Sequence, residues 1–423
     1  MAKPSAASKK KVTAENLASL GVERLAEILV EVAETRADLK RRLRMELAAG
    51  LGAAHLVPEI DKRLTALETS RGQVIWRQKP AFLRDLGAVR GLIADRLASQ
   101  EPDAALERMW RFLSTHSQTS GRLREPDEAF ETIYRDAAAD LGRLLATHDP
   151  QLAAHALIDT AALSPKVWSR WISPVLAALP QRTTRIALTL ALARAQASPG
   201  WLVVLRHLAD AAGDIEAYRA TFSAAALATP PVSVEIARRY LAAGQTEAAG
   251  AALRLAAPKP KGLLGRLGAP DLDWESVWID YLDASGETAS AQDVRWASFQ
   301  RTLDLGRAKA FVGKFDDFDD VEAENRVLEY AAAHPNFEQG LGLLMAWPAL
   351  ARASRMVLDR GGDAKVDPEL AEVWAAKLRS RFSAAAHRLL RRGAATAFKQ
   401  RAFKLSERLT EEADTIPPPA EPR

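Results

Sequence analysis

Two helical segments separated by one glycine turn make up residues 201–227, WLVVLRHLADAAGDIEAYRATFSAAAL. The same arrangement recurs at two later turns, so the three glycines are Gly213, Gly244 and Gly286, with steps of 244 − 213 = 31 and 286 − 244 = 42 residues. Glycine readily adopts the left-handed conformation that ends a helix. Paired helices that repeat at about 34 residues are typical of tetratricopeptide repeats, whose units stack to bury their apolar faces.

Helical spacing of apolar residues extends outward from this stretch over most of the chain. Two examples follow the i, i+3, i+4, i+7 pattern: Leu25, Ile28, Leu29 and Val32, and Leu106, Met109, Trp110 and Leu113. Runs with the period of two that strands require are missing. The sequence therefore predicts an all-α fold, either a tetratricopeptide-like helical-repeat α-solenoid or an irregular helical array.

Breaks at proline and glycine, together with composition, divide the chain into five predicted segments. A disordered basic tail (1–12) precedes an N-terminal helical domain (13–160), tetratricopeptide-like repeats (161–304), C-terminal helical pairs (305–410) and a disordered Pro-rich tail (411–423). The tails are too polar or too rich in proline to pack into a core. The glycine-rich sequence GLLGRLG at 262–268 is interpreted as a linker inside the repeats.

The composition excludes several classes of protein. The 423 residues include 58 Lys and Arg and 54 Asp and Glu, a net charge of +4, with 48% hydrophobic residues and no Cys. These values are ordinary for a globular protein. The absence of Cys excludes disulfides, thiolate metal sites and cysteine nucleophiles. Apolar runs fall short of the ~20 residues that a membrane span requires, so we expect no spanning helix and a cytoplasmic location.

Motifs that would indicate an enzyme, a metal or a cofactor are not found. The glycine-rich linker lacks the Lys-Ser/Thr ending of a phosphate-binding loop, and the seven His are scattered. The acidic run at 316–324 has three interpretations: a Ca²⁺ or Mg²⁺ site, an acid/base pair of carboxylates, or the N-terminal cap of the following helix through Asp319 or Asp320, with Phe311, Phe315 and Phe318 in the core. The cap is favoured, and we predict a protein without catalytic activity, metal or cofactor.

Trp168 and Trp171 are candidate partner-binding residues. They lie at i and i+3 on one face of a short helix that Pro165 begins. Exposed, the two rings would anchor a peptide in a groove. Buried, they would belong to the core, which is the commoner place for aromatic residues.

Positive charge is concentrated near the C-terminus. Residues 377–408 carry ten Lys and Arg against the single acid Glu407. Four of these bases are predicted to share a helix face and are further candidate binding residues: Lys377, Arg381, Arg388 and Arg392. Such a face can neutralise phosphates or an anionic membrane surface. It can equally be solvated or paired with the acidic stretch 271–324, an interpretation favoured because aromatic residues do not alternate with the bases as single-strand binders require.

A shorter basic stripe lies near the N-terminus. Arg36, Lys40 and Arg44 follow at i, i+4 and i+8, beside Arg41 and Arg42. Like the C-terminal bases, these residues can neutralise phosphates or an anionic membrane surface.

Three stretches resemble an uncharacterised proteobacterial family of all-helical proteins, a domain of unknown function. They are NLASLGVERLAEILVEVAETRADLKRRLRMELA (16–48), ALERMWRFL (105–113) and residues 296–360, which begin WASFQRTLDLG. The last is also similar to the helical region that accompanies SWIM zinc fingers. Such a finger needs Cys ligands, so the zinc finger itself is absent. The resemblance implies a bacterial source and a helical fold, and supplies no catalytic residues.

The sequence thus predicts a non-enzymatic helical-repeat scaffold that binds a protein or peptide partner. The alternative is a nucleic-acid-associated helical protein that uses the C-terminal basic helix and the lysines at positions 9–11. The first follows from the paired helices, and the second from the segregated charge.

Overall fold

The three glycine turns have the backbone geometry that the sequence predicts. In the computed structural model, Gly213, Gly244 and Gly286 have φ of 72°, 71° and 80°. In each turn the next residue's N–H bonds to the carbonyl five residues back, at 2.8 to 2.9 Å, which satisfies a carbonyl that the helix end leaves open. These glycines therefore end one helix and begin the turn to the next.

The structure describes residues 12–194, 198–258, 260–261, 266–267, 269–316, 318–362 and 364–416. Residues 1–11 and 417–423, which make up most of the two predicted tails, lie outside it. The predicted glycine-rich linker lies largely outside it as well.

The contacts between residues divide the chain into two units, 1–223 and 224–423. This division falls within the predicted repeat segment 161–304, and the predicted segment boundaries stay a prediction.

The described part of the first unit contains thirteen α-helices and one π-helical turn, Leu92–Leu97, which continues the fifth helix. The α-helices are α1 (Ala14–Ala18), α2 (Val22–Thr35), α3 (Ala37–Leu51), α4 (Ala53–Thr69), α5 (Lys79–Gly91), α6 (Pro102–Ser114), α7 (His116–Ser120), α8 (Glu128–Ala146), α9 (Pro150–Leu163), α10 (Pro165–Ala177), α11 (Gln181–Leu192), α12 (Pro199–Ala212) and α13 (Ile215–Ala220). The stretch WLVVL that opens residues 201–227 is part of α12 and is helical.

The core of the first unit lies around α8. This helix packs against α5, α6 and α10, and its Phe130 and Tyr134 are fully buried. Tyr134 stacks on Phe112 of α6 with ring centroids 5.0 Å apart, and its hydroxyl lies 2.8 Å from the Thr115 hydroxyl. The buried phenol therefore has a hydrogen-bond partner, as burial of a polar group requires.

The second unit is also helical. Its described part holds α14 (Ala224–Leu227), α15 (Pro230–Ala242), α16 (Thr246–Leu255), α17 (Leu272–Ala284), α18 (Thr288–Thr302), α19 (Leu305–Val312), α20 (Phe318–Ala333), α21 (Phe337–Ala346), α22 (Leu350–Arg360), α23 (Pro368–Leu378), α24 (Ser383–Lys399) and α25 (Phe403–Asp414). A two-residue antiparallel ladder joins β1 (Pro260–Lys261) to β2 (Arg266–Leu267).

One hydrophobic cluster runs through the second unit from Phe299 to Ile416. Helices α23, α24 and α25 form its C-terminal part and meet at Gly393, which is buried. The last helix extends to Asp414, and Ala413 and Ile416 are buried. The predicted disorder from residue 411 is therefore wrong for residues 411–416, because these residues complete the last apolar face.

The predicted all-α class is confirmed, and the chain is an array of helices. The tetratricopeptide type of the repeat stays a prediction.

Candidate functional site

Trp168 and Trp171 both lie on the buried face of α10. Their side chains are 6% and 3% exposed, so they belong to the core of the first unit and are not exposed anchors. Trp168 meets Trp110 of α6 edge to face, with ring centroids 5.1 Å apart. Of the two interpretations of this pair, the structure supports the one in which both rings are buried. A role of these rings in binding a partner stays a prediction.

The two tryptophans also line a cleft of about 560 Å³ between α6, α7, α9 and α10. Ser117 and Thr160 are also among its lining residues, as are Lys166 and Arg170 of α10, which are exposed. The indole N–H of Trp171 is buried and has no hydrogen-bond acceptor within the described residues. The cleft therefore has two cationic residues in its lining, of which Arg170 lies 3.5 Å from the Glu131 carboxylate.

His116 closes the inner end of this cleft. Its ring lies within 5.3 Å of Phe130, 4.9 Å of Tyr134 and 5.0 Å of Trp171, measured between centroids. Its Nε2 is 3.4 Å from the Glu131 carboxylate. Burial lowers the pKa of His116 below its usual value, although the Glu131 charge acts in the opposite direction and Arg170 adds to the lowering.

Acidification is expected to destabilise the first unit through His116. Because its folded pKa is lowered, the neutral ring contributes stability above pH ~6.5, and this is lost as pH falls through the folded pKa. The free energy of unfolding, measured with urea between about pH 7.5 and pH 5, should show this loss. In the His116→Asn variant the free energy of unfolding should depend less on pH. Replacement of the exposed His155 by Asn is the control, and an equal effect from it would contradict the assignment.

The four C-terminal candidate bases do not share one helix face. Lys377 belongs to α23, which ends at Leu378, whereas Arg388 and Arg392 belong to α24. Arg381 lies in the turn between them and is exposed, as is Lys377. The prediction of one continuous basic helix is wrong because residues 379–382 form a turn that folds α24 back onto α23.

Several of the C-terminal bases pair with carboxylates that lie just outside the basic window. Arg379 lies 3.8 Å from Glu412, and Arg408 lies 2.7 Å from Glu372. Arg391 pairs with Asp414 at 2.5 Å, and Arg388, half-buried, donates to the Leu358 carbonyl. These partners lie in α22, α23 and α25, and none lies in the acidic stretch 271–324 that the sequence suggested. Much of the C-terminal charge therefore connects neighbouring helices.

The N-terminal basic stripe lies beside a groove between α3 and α4. This groove, of about 270 Å³, is lined by Lys40, Arg41, Arg44, Glu59, Lys62 and Arg63, and we call it the cationic groove. Lys40, Arg44 and Lys62 are exposed and have no ion pair within the described residues. Arg36 instead pairs with Asp38, with two N–O distances of 3.1 and 2.6 Å.

Asp85 of α5 holds the two remaining arginines of the cationic groove. One carboxylate oxygen accepts from Arg63 Nε at 2.7 Å and the other from Arg41 Nε at 3.0 Å. Asp85 and Arg63 are 6% and 8% exposed. A sequence reading missed Asp85 because a single acid inside a helix carries no local signal of two distant arginines.

The acidic run at 316–324 begins a helix. Helix α20 starts at Phe318, so Asp319 and Asp320 lie in its first turn rather than at the cap. The expectation that either one caps the helix is wrong, although both charges still favour the positive helix end. Phe311 is buried and Phe318 is 89% exposed, so the predicted core position of Phe318 is also wrong. Residue 317 lies outside the described residues.

Two wider findings concern only the described part of the chain. No group of three His, Asp or Glu residues there could hold a metal ion. None of the helices there combines the length and the apolarity that crossing a bilayer requires.

The sequence matches one family model over most of its length. Residues 7–200 and 181–404 match DUF6880, which is described as a family of unknown function. The chain belongs to this family. The membership confirms the resemblance to an uncharacterised domain family, whereas the proteobacterial origin and the similarity to SWIM-associated regions stay predictions. No curated protein is significantly similar to the chain.

Proposed function

We propose that the protein is a non-enzymatic helical scaffold that binds a protein partner through α2 and α3. One observation carries the proposal. Of the 23 exposed large apolar side chains among the described residues, nine lie within residues 12–51. Concentrations of uncovered apolar surface mark binding sites in soluble proteins. The helix pairs that turn at Gly213, Gly244 and Gly286 support a tetratricopeptide-like repeat, and the lack of Cys in the sequence fits a cytoplasmic protein.

Helix α2 leaves its apolar stripe largely in solvent. Leu29 and Val32 are 42% and 40% exposed, Leu25 and Ile28 are half-buried, and only Ala33 of this helix is buried. A surface helix normally turns such a stripe towards a core. The pattern i, i+3, i+4, i+7 therefore supports a second amphipathic helix as the missing neighbour.

Helix α3 adds cations to this apolar surface. Lys40, Arg44, Leu47 and Leu51 follow at i, i+4, i+7 and i+11 and share one face. Both leucines are 72% exposed, and both cations are without an ion pair in the described residues. We call Leu29, Val32, Leu47 and Leu51 the N-terminal apolar surface.

The partner of this surface is an acidic amphipathic helix of another protein. Apolar side chains of that helix would be buried against the leucines, and its carboxylates would lie near Lys40 and Arg44. Burial of apolar area supplies affinity, and opposite charge sets orientation and selects against basic partners.

Binding of designed peptides tests the proposal. The probe is a labelled amphipathic peptide with Leu at core positions and Glu elsewhere, and its counterpart carries Lys in place of Glu. We expect fluorescence anisotropy to show at least about tenfold tighter binding of the Glu peptide. Leu47→Glu with Leu51→Glu should abolish binding, and Lys40→Glu with Arg44→Glu should reverse the preference between peptides.

A matched control places the same change elsewhere on the first unit. Leu152 is 69% exposed on α9, so Leu152→Glu changes an equally exposed leucine. Equal loss of binding in this variant would overturn the proposal. So would a concentration-dependent dimer that Leu47→Glu with Leu51→Glu abolishes, since the occupant would then be a second copy. Preferential binding to anionic vesicles would overturn it as well.

A further inference from the structure

Two phenylalanines face each other in solvent at the turn between α24 and α25. Phe398 and Phe403 are 62% and 57% exposed, and their ring centroids lie 5.5 Å apart at an interplanar angle of 71°. Of the twelve Phe in the chain, only one other, Phe318, is exposed. The pair therefore holds two large rings at the surface beside each other, where core packing does not explain them. We call residues 398–404 the Phe turn.

The backbone fixes this pair in place. The Ala402 N–H donates to the Ala397 carbonyl at 2.9 Å, and the Arg401 N–H donates to the Phe398 carbonyl at 3.0 Å. Arg401 has φ of 63°, in the left-handed region where glycine is usual. A side chain other than glycine's is strained at such a position.

Positive charge surrounds the two rings. Lys399, Arg401 and Lys404 are exposed, and none has an ion pair or side-chain hydrogen bond within the described residues. Arg391 of α24 and Arg408 of α25 differ, because each has a carboxylate partner. The segment 398–404, FKQRAFK, contains no acid. The turn therefore presents three cations that no described residue compensates.

The expectation that no aromatic residues alternate with the C-terminal bases is wrong at this turn. Phe398 and Phe403 enclose Lys399 and Arg401, and Lys404 follows directly. The sequence alone did not indicate that these two rings are exposed, because Phe at helical spacing is typical of a core position. Exposure, which only the folded chain reveals, distinguishes these two rings from a buried pair.

We propose that the Phe turn binds single-stranded nucleic acid. Bases stack on exposed aromatic rings, and each such stack raises affinity by about 5- to 150-fold, while Lys and Arg neutralise neighbouring phosphates. Unpaired bases are required, since the bases of a duplex are already stacked and cannot reach the rings. The site is short, with two rings and three cations, and serves a few nucleotides.

A membrane surface is the less suited occupant. Membrane binding scales with the apolar area inserted, and two half-exposed rings at one turn offer little. The partner site on α2 and α3 belongs to the other unit, and the Phe turn is proposed independently of it.

Anisotropy with a labelled oligothymidylate of about 15 nucleotides tests the site in the full-length protein at about 50 mM salt. We expect Phe398→Ala with Phe403→Ala to weaken binding by at least about 30-fold, and Phe398→Tyr with Phe403→Tyr to retain it. Replacement of Lys399, Arg401 and Lys404 by Glu should weaken binding and reduce the slope of log affinity against log salt by about 2, since each of the three phosphate contacts contributes about 0.7 for a single strand.

Two matched variants serve as controls. Phe318→Ala removes the other exposed Phe, and Lys377→Ala with Arg381→Ala removes exposed cations at the far end of α24, about 25 Å away for a helix of 17 residues. Neither should change binding. Equal loss in either control, equal affinity for a duplex of the same length, or Phe-dependent binding to vesicles of phosphatidylcholine and phosphatidylserine with none to the oligonucleotide would overturn the proposal. Unchanged thermal unfolding of the Phe398→Ala with Phe403→Ala variant excludes misfolding as the cause of its weaker binding.

Discussion

Replacement of Asp85 by asparagine is expected to destabilise the first unit by about 3–5 kcal/mol, because it leaves Arg63 charged, buried and without a counterion. Arg63 is 8% exposed, and burial lowers its pKa while the Asp85 charge acts in the opposite direction. Arg41 loses its partner in the same change. In a unit of about 200 residues, this corresponds to a fall in the midpoint of thermal unfolding by about 10 °C.

Two further variants distinguish the free-energy cost of leaving one buried charge unpaired from the contribution of the intact ion pair. Asp136 is half-exposed and pairs with Arg90, so Asp136→Asn removes a comparable charge at the surface and should cost less than about 1 kcal/mol. Arg63→Met combined with Asp85→Leu removes the buried charges together and should be less harmful than Asp85→Asn alone. Urea unfolding measures all three. Similar values for Asp85→Asn and Asp136→Asn would contradict the assigned role of burial.

Replacement of Gly393 by valine is expected to destabilise the second unit by about 3 kcal/mol. A Cβ at this position would lie 2.7 Å from Ala371 Cβ of α23 and 3.3 Å from Leu409 Cδ1 of α25. Three helices therefore meet where only a hydrogen atom fits. Overpacking at such a point forces the helices apart or the neighbouring side chains out of their preferred rotamers.

Gly87 supplies the control for this prediction, because it lies inside α5 with nothing within 4 Å of a Cβ built there. Gly87→Ala should stabilise by about 0.5–1 kcal/mol through the unfolded state and helix propensity. In a Gly393→Ala variant, the second change Ala371→Gly should restore part of the lost free energy of unfolding. It removes Ala371 Cβ, which is the atom nearest to the new Cβ at position 393. An unchanged free energy of unfolding by urea in the Gly393→Val variant would show that the three helices are not in close contact at this position.

The helices were predictable because their signals are local. Apolar residues at helical spacing and glycine after the last turn are visible in the letters alone, and the left-handed φ at Gly213, Gly244 and Gly286 follows from them. Helix ends were less predictable. The break between α23 and α24 at residues 379–382 contains neither Gly nor Pro, so the four C-terminal bases looked continuous.

The candidate sites were predictable only in part, because exposure depends on what packs from elsewhere. The stripe Leu25, Ile28, Leu29 and Val32 has the pattern of a core face, and in the structure two of its four residues are exposed. Trp168 and Trp171 have the same kind of pattern, and both are buried. The pairing of Arg63 with Asp85 joins residues 22 apart in sequence, a separation at which no local rule operates.

The uncovered leucines of α2 and α3 also bear on how the protein behaves when no partner is present. A purified sample carries Leu47 and Leu51 in water at 72% exposure, so its solubility should fall with salts that strengthen apolar association. A cell that makes the chain in excess of the proposed partner would carry the same liability. Production together with that partner should therefore raise the soluble yield, and the ratio of the two proteins would set how much of the chain stays in solution.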